Sequence, residues 1–116
     1  MSIVRLVVAL LAVITAVIHF WLLVIIGGFD PAFFLNGIGY LALTAAYLTN
    51  VPLGAGRRPL LHVVFIGYTA VTILAWLALG EKNPATTLGM LGYIDKTVEV
   101  LLIIALVVSL RQEGKR

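Results

Sequence analysis

Apolar residues in this chain fall into four long runs, and polar residues gather in the short stretches between them. The runs cover about 3–26, 32–49, 60–79 and 86–110. A helix needs about 20 mainly apolar residues to cross a hydrocarbon core, so each run has the length of a membrane span. The breaks are Gly27-Gly28-Phe29-Asp30-Pro31, residues 50–59, and Gly80-Glu81-Lys82-Asn83-Pro84. Glycine and proline punctuate all three, as turns require. Pro31, Pro59 and Pro84 are expected in the first turn of the helix that follows, where no backbone N–H is needed. The runs are continuous and not alternating, which excludes a β-barrel. The pattern predicts an all-α fold: an integral membrane four-helix bundle, up-down-up-down, forming a single transmembrane domain over 1–116.

Composition agrees. The chain is 62% hydrophobic and 11% charged, against about 45–50% and about 25% for a soluble domain. A small globule could not bury that much apolar surface. A soluble enzyme, a nucleic-acid-binding module and a disordered chain are excluded. The absence of cysteine removes thiol–disulfide chemistry, thiolate-bound zinc and iron–sulfur clusters. The first run is longer than the 7–15-residue core of a signal peptide and has no small-residue cleavage site after it, so it reads as a retained span.

Charge sets the expected orientation. Arg5, Arg57, Arg58, Arg111, Lys115 and Arg116 all fall on one side of a four-span chain, while Asp30, Glu81 and Lys82 occupy the other. By the positive-inside rule both termini are cytoplasmic, in a multi-pass protein of the cell membrane.

Polar residues inside the runs are the candidate chemistry. The fourth run carries Asp95, Lys96 and Glu99 within an arc of about 100°. A charge at the centre of a span costs about 2.5–3.5 kcal/mol, so this arc must face protein or water. The other helices offer matching stripes: Arg5, Ala12, Thr15, Ala16 and His19; then Asn36, Tyr40, Leu43, Tyr47 and Asn50; then His62, Phe65, Thr69, Thr72 and Trp76. At 1.5 Å per residue, His19, Asn36, Thr72, Asp95, Lys96 and Glu99 share a layer about 17–24 Å above the cytoplasmic boundary. His62 lies about 20 Å lower, too far from His19 for the pair to bind one haem. It is expected at the inner interface beside Arg57 and Arg58, touching anionic lipid. Trp21 and Trp76 are expected as interfacial anchors.

The candidate intramembrane polar or proton site is therefore His19, Asn36, Tyr40, Thr72, Asp95, Lys96 and Glu99. Two roles stay open for it: a self-neutralising cluster that fixes helix register, or an ion or proton site. No phosphate loop, zinc motif or Ser/His/Asp set is present, so no catalytic residue, cofactor or metal is expected.

The stretches Ala16-Val17-Ile18-His19-Phe20-Trp21-Leu22, Phe33-Phe34-Leu35-Asn36-Gly37-Ile38-Gly39-Tyr40 and Gly92-Tyr93-Ile94-Asp95-Lys96-Thr97-Val98-Glu99-Val100 resemble a group of uncharacterised four-span prokaryotic membrane proteins. The resemblance implies that His19, Asn36, Asp95, Lys96 and Glu99 belong to a shared pattern. It implies no activity. The first expectation for function is a small non-enzymatic accessory or structural subunit of a larger membrane complex. Its partners would be the lipid bilayer and other membrane subunits or further copies of itself. The alternative is a homo-oligomeric proton-coupled transporter or channel built on the outer-leaflet polar cluster.

Overall fold

A computed structural model describes residues 2–28, 30–49 and 57–114. Four α-helices and no strand are found among them: α1 (Ile3–Ile26), α2 (Pro31–Leu48), α3 (Arg57–Leu79) and α4 (Thr87–Gly114). α1, α2 and α3 are long and apolar enough to cross a membrane. α4 has the length, but Asp95, Lys96 and Glu99 interrupt its apolar character. The molecule is 46 Å long and 24 by 22 Å across, close to the roughly 40–45 Å of a bilayer with its headgroups.

Local chemistry fixes the helix ends. The Ser2 side chain accepts the Arg5 amide at 3.2 Å and opens α1. Gly27 closes it in the left-handed region, at φ 68°, a conformation that costs glycine little. Asp30 then accepts the Ala32 and Phe33 amides, with Pro31 in the first turn of α2. The Thr86 hydroxyl accepts the Gly89 amide at 3.0 Å and opens α4.

Two expected boundaries are corrected. Pro84 does not enter the first turn of α4 but sits in the turn before it. There the Asn83 side chain accepts the Ala85 amide, and its carbonyl accepts the Thr86 amide and hydroxyl. At the other end α4 continues past Leu110 to Gly114, because Glu113 is held by partners on α3.

The backbone of α1 runs close to both α2 and α4, and that of α3 runs close to α4; α2 and α3 stand further apart and meet through the side chains of Tyr40, Tyr47, Phe65 and Tyr68. The core threads between them: Val8, Ala12 and Ala16 of α1, Tyr40 and Tyr47 of α2, Leu61 and Phe65 of α3, and Leu102, Ala105 and Leu106 of α4. Small residues on α1 let its neighbours approach closely. Large apolar side chains face outward on every helix, among them Leu10, Val17, Leu41, Val71, Leu74, Leu101 and Ile104. The outer surface is apolar, while charged and polar side chains such as His19, His62, Asp95 and Glu99 are buried beside the apolar core.

Candidate functional site

Two polar clusters are buried in the bundle. The upper one is built on α4, where Asp95, Lys96 and Glu99 share one face. The Lys96 ammonium bridges the carboxylates, 3.0 Å from Asp95 Oδ2 and 2.5 Å from Glu99 Oε1. The remaining oxygens are met from other helices. Thr15 of α1 donates to Asp95 Oδ1, and Tyr40 of α2 donates to Glu99 Oε2. Asp95 is 1% exposed and Glu99 0%, so both carboxylates are fully withdrawn from the surface.

His19 completes this cluster. Its Nδ1 lies 2.8 Å from the Thr15 carbonyl, which can only accept, so Nδ1 carries a hydrogen. Nε2 is turned toward Asp95 Oδ2 at 3.6 Å. The ring also lies 5.8 Å from that of Tyr40 and 6.4 Å from that of Phe33.

The structure thus brings together His19, Tyr40, Asp95, Lys96 and Glu99. Asn36 and Thr72 form a satellite beside them: Thr72 donates to Asn36 Oδ1 at 3.1 Å. Tyr68 ties the two parts, donating to the Asn36 carbonyl and meeting the Tyr40 ring edge-on at 5.0 Å. Trp76 lies above, edge-on to Tyr93 at 5.1 Å and beneath the Lys82 ammonium at 5.5 Å. Trp21 is exposed on the outer surface. Asn50 lies outside the described residues.

His19, Asp95 and Glu99 each offer a donor atom, and these atoms lie within 4.8 Å of one another. The set could ligate a metal ion only if the Lys96 ammonium withdrew from the two carboxylates it now bridges.

The lower cluster was not anticipated. His62, expected against lipid, is 0% exposed and enclosed by the bundle. Its Nδ1 faces the Arg58 carbonyl at 2.8 Å, and its Nε2 faces Ser109 Oγ at 2.9 Å and Glu113 Oε2 at 3.2 Å. Tyr47 Oη lies 2.6 Å from Ser109 Oγ. Arg58 grips Glu113 with two parallel hydrogen bonds of 3.1 Å. Arg5 and Arg58 also donate to the Tyr47 carbonyl, at 2.8 and 3.0 Å, and flank its ring. Two cations thus sit at the negative end of the α2 dipole. Burial alone would raise the Glu113 carboxyl, but hydrogen bonds from Arg58 and the nearby His62 and Arg58 hold it below the usual carboxylate range.

A sequence signal for this cluster existed. Arg58 and His62, and likewise Ser109 and Glu113, stand four residues apart, so each pair shares a helix face at the same end of the bundle. Glu113 lay beyond the expected end of the fourth helix, which hid the second pair.

No family model, curated protein or solved structure matches this chain.

Proposed function

We propose that this chain is a non-enzymatic multi-pass protein of the cell membrane, with both termini cytoplasmic, and that its upper cluster binds and releases a proton in a small homo-oligomeric transporter or channel. One observation carries this reading. Counted in their ordinary ionised forms, Asp95 and Glu99 bring two negative charges and Lys96 one positive, a formal −1 inside the bundle. A cluster that only fixed helix register would need a single balanced pair. The second carboxylate adds a desolvation cost of several kcal/mol that packing does not require. One more cation restores neutrality, and a proton on His19 Nε2, 3.6 Å from Asp95 Oδ2, supplies it. An intramembrane carboxylate set with a histidine beside it is the usual material of proton relays.

The accessory-subunit reading also has an observation in its favour. Every carboxylate oxygen of the upper cluster already has a hydrogen-bond donor, so the network can lock three helices in register without moving.

One experiment separates the two. The chain is reconstituted into vesicles loaded with a pH-sensitive dye, beside its Glu99→Gln variant. Proton flux in the native chain, lost in a Glu99→Gln variant that still melts normally, supports transport. Equal behaviour of the two rejects it. Recovery of a fixed stoichiometric partner from mild detergent then supports the accessory role.

A further inference from the structure

We infer that the two clusters are the ends of a single proton path through each bundle, closed at its middle by Phe65, Leu102 and Leu106. The inference rests on the proton-binding reading of the upper cluster and extends it to residues that reading does not use.

The lower cluster is a continuous chain of exchangeable protons. It begins at Glu113, whose side chain is 21% exposed at the cytoplasmic end of the molecule on the orientation above. It passes to His62 Nε2 at 3.2 Å, to Ser109 Oγ at 2.9 Å and to Tyr47 Oη at 2.6 Å. A latch between α3 and α4 would need only Arg58 and Glu113. Burying an imidazole with partners at both nitrogens adds nothing to that latch, but it is what a relay requires.

Proton bookkeeping works in the observed geometry. His62 Nδ1 donates to the Arg58 carbonyl throughout, so Nε2 is the atom that gains and loses the proton. In the neutral ring Nε2 accepts from Ser109. A proton arriving on Glu113 passes to Nε2, which leaves an imidazolium and restores the carboxylate. Nε2–H then donates to Ser109 Oγ, and the Ser109 hydrogen turns to Glu113, 3.3 Å away. For onward transfer the Ser109 hydroxyl turns from Glu113 to Tyr47 Oη; Ser109 then takes the Nε2 proton and hands its own to Tyr47, whose phenolic hydrogen can leave only when an acceptor enters the gap above it. Each oxygen gains one proton and loses one. Among the described residues the charged and titratable groups around His62 are Arg58 on its own helix, Tyr47 of α2, Glu113 of α4, and Arg5 of α1 against the Tyr47 ring.

The chain then stops. Tyr40, which donates to Glu99, and Tyr47 lie on one face of α2, about 10 Å apart along the axis. Thr44 lies between them but donates to its own helix, at the Tyr40 carbonyl. The Phe65 ring fills the interval, 6.5 Å from Tyr40 and 6.4 Å from Tyr47, with Leu102 and Leu106 fully buried in the same core. Such an apolar constriction blocks a proton because it holds no water.

The test places polar groups in the gap. Phe65→Tyr adds a hydroxyl between the two tyrosines with little change of shape, and Leu106→Ser opens room for water. Each is reconstituted in dye-loaded vesicles under a potassium gradient with valinomycin, and its fold is checked by thermal melting. Proton leak is expected to rise clearly above that of the native chain. Adding His62→Gln to either variant is expected to return the leak to the native level. Two folded gap variants that leak no more than the native chain would overturn the path. So would a leak that survives His62→Gln, or the unfolding of both variants, since the gap would then be rigid packing. The Glu99→Gln result on the native chain reports separately on the upper site. A leak in the gap variants that needs His62 stands even if the native chain shows no flux.

Discussion

Tyr40 donates its phenolic hydrogen across the bundle to Glu99, and the two side chains are 0% exposed. The contact joins α2 to the most deeply withdrawn carboxylate of α4. Seven residues further on, Tyr47 makes the equivalent reach to Ser109. Polar bonds between α2 and α4 therefore lie above and below Phe65, and among the described residues none bridges the level at which that ring sits.

Removing one hydroxyl tests the upper bond. Tyr40→Phe leaves the ring in place and strips Glu99 Oε2 of its donor. An unsatisfied buried acceptor costs about 1–3 kcal/mol. The variant should unfold earlier in a detergent titration than the native chain, while helix content at rest is unchanged. A variant as stable as the native chain would show that Glu99 finds another donor.

Lys96 and Glu99 should respond unequally. Lys96→Met leaves two carboxylates without their cation, and stranding buried charge costs about 3–5 kcal/mol. Glu99→Gln keeps a hydrogen-bonding group and removes one negative charge, so its melt should stay close to native. The reverse order, a stable Lys96→Met beside an unfolded Glu99→Gln, would refute this account of the charge balance.

How far this was legible beforehand depends on the scale of the interaction. Hydropathy located the four helices closely, because span length and turn residues are local properties. Helical spacing also placed His19, Tyr40, Asp95, Lys96 and Glu99 on faces that do meet. What it could not supply was which helix lies beside which. α1 sits between α2 and α4, and α2 reaches α3 through long side chains and not through close backbone approach. That arrangement leaves Asn36 and Thr72 as a satellite. The burial of His62 was missed because Glu113, its carboxylate partner, follows the apolar run and lies past the expected end of α4.

Gly92 makes room for the Trp76 indole. A Cβ at position 92 would lie 2.6 Å from Trp76 Nε1, closer than real contacts allow. Gly92→Val should therefore displace the indole from its edge-on contact with Tyr93. The expected signs are a shift in tryptophan emission and a loss of about 1–3 kcal/mol, as for other overpacked sites. Unchanged emission would mean that α4 itself moves aside.

The lower cluster should weaken in acid. The folded Glu113 carboxyl sits below its usual range, so its contribution is complete above the ordinary carboxyl value. That contribution is lost as pH falls through the depressed folded value. Melts of the native chain and of Glu113→Gln should differ at about pH 6 and converge toward about pH 2. A constant difference across that range would remove the ionic pairing with Arg58 and His62 from the explanation.

Topology is open to direct reporting. A reporter fused after Arg116 should register cytoplasm, and one inserted beside Lys82 should register the outside, because six of the flanking cations would fall on one side of a four-span chain. A cytoplasmic signal at Lys82 would overturn the four-span arrangement.

The charges of α4 carry a consequence for how the protein is made. α1, α2 and α3 leave the ribosome first, and each is apolar enough to enter a bilayer alone. α4 comes last and bears Asp95, Lys96 and Glu99, so on its own it partitions poorly into lipid. On the membrane reading proposed above, Thr15, His19 and Tyr40, the groups that receive those charges, are in the bilayer by then. On that reading the earlier helices would act as an internal chaperone for the last one. A nascent chain in which Thr15 and Tyr40 are both apolar should stall with α4 outside the bilayer, exposed to quality-control proteases, before stability of the finished fold is ever at issue.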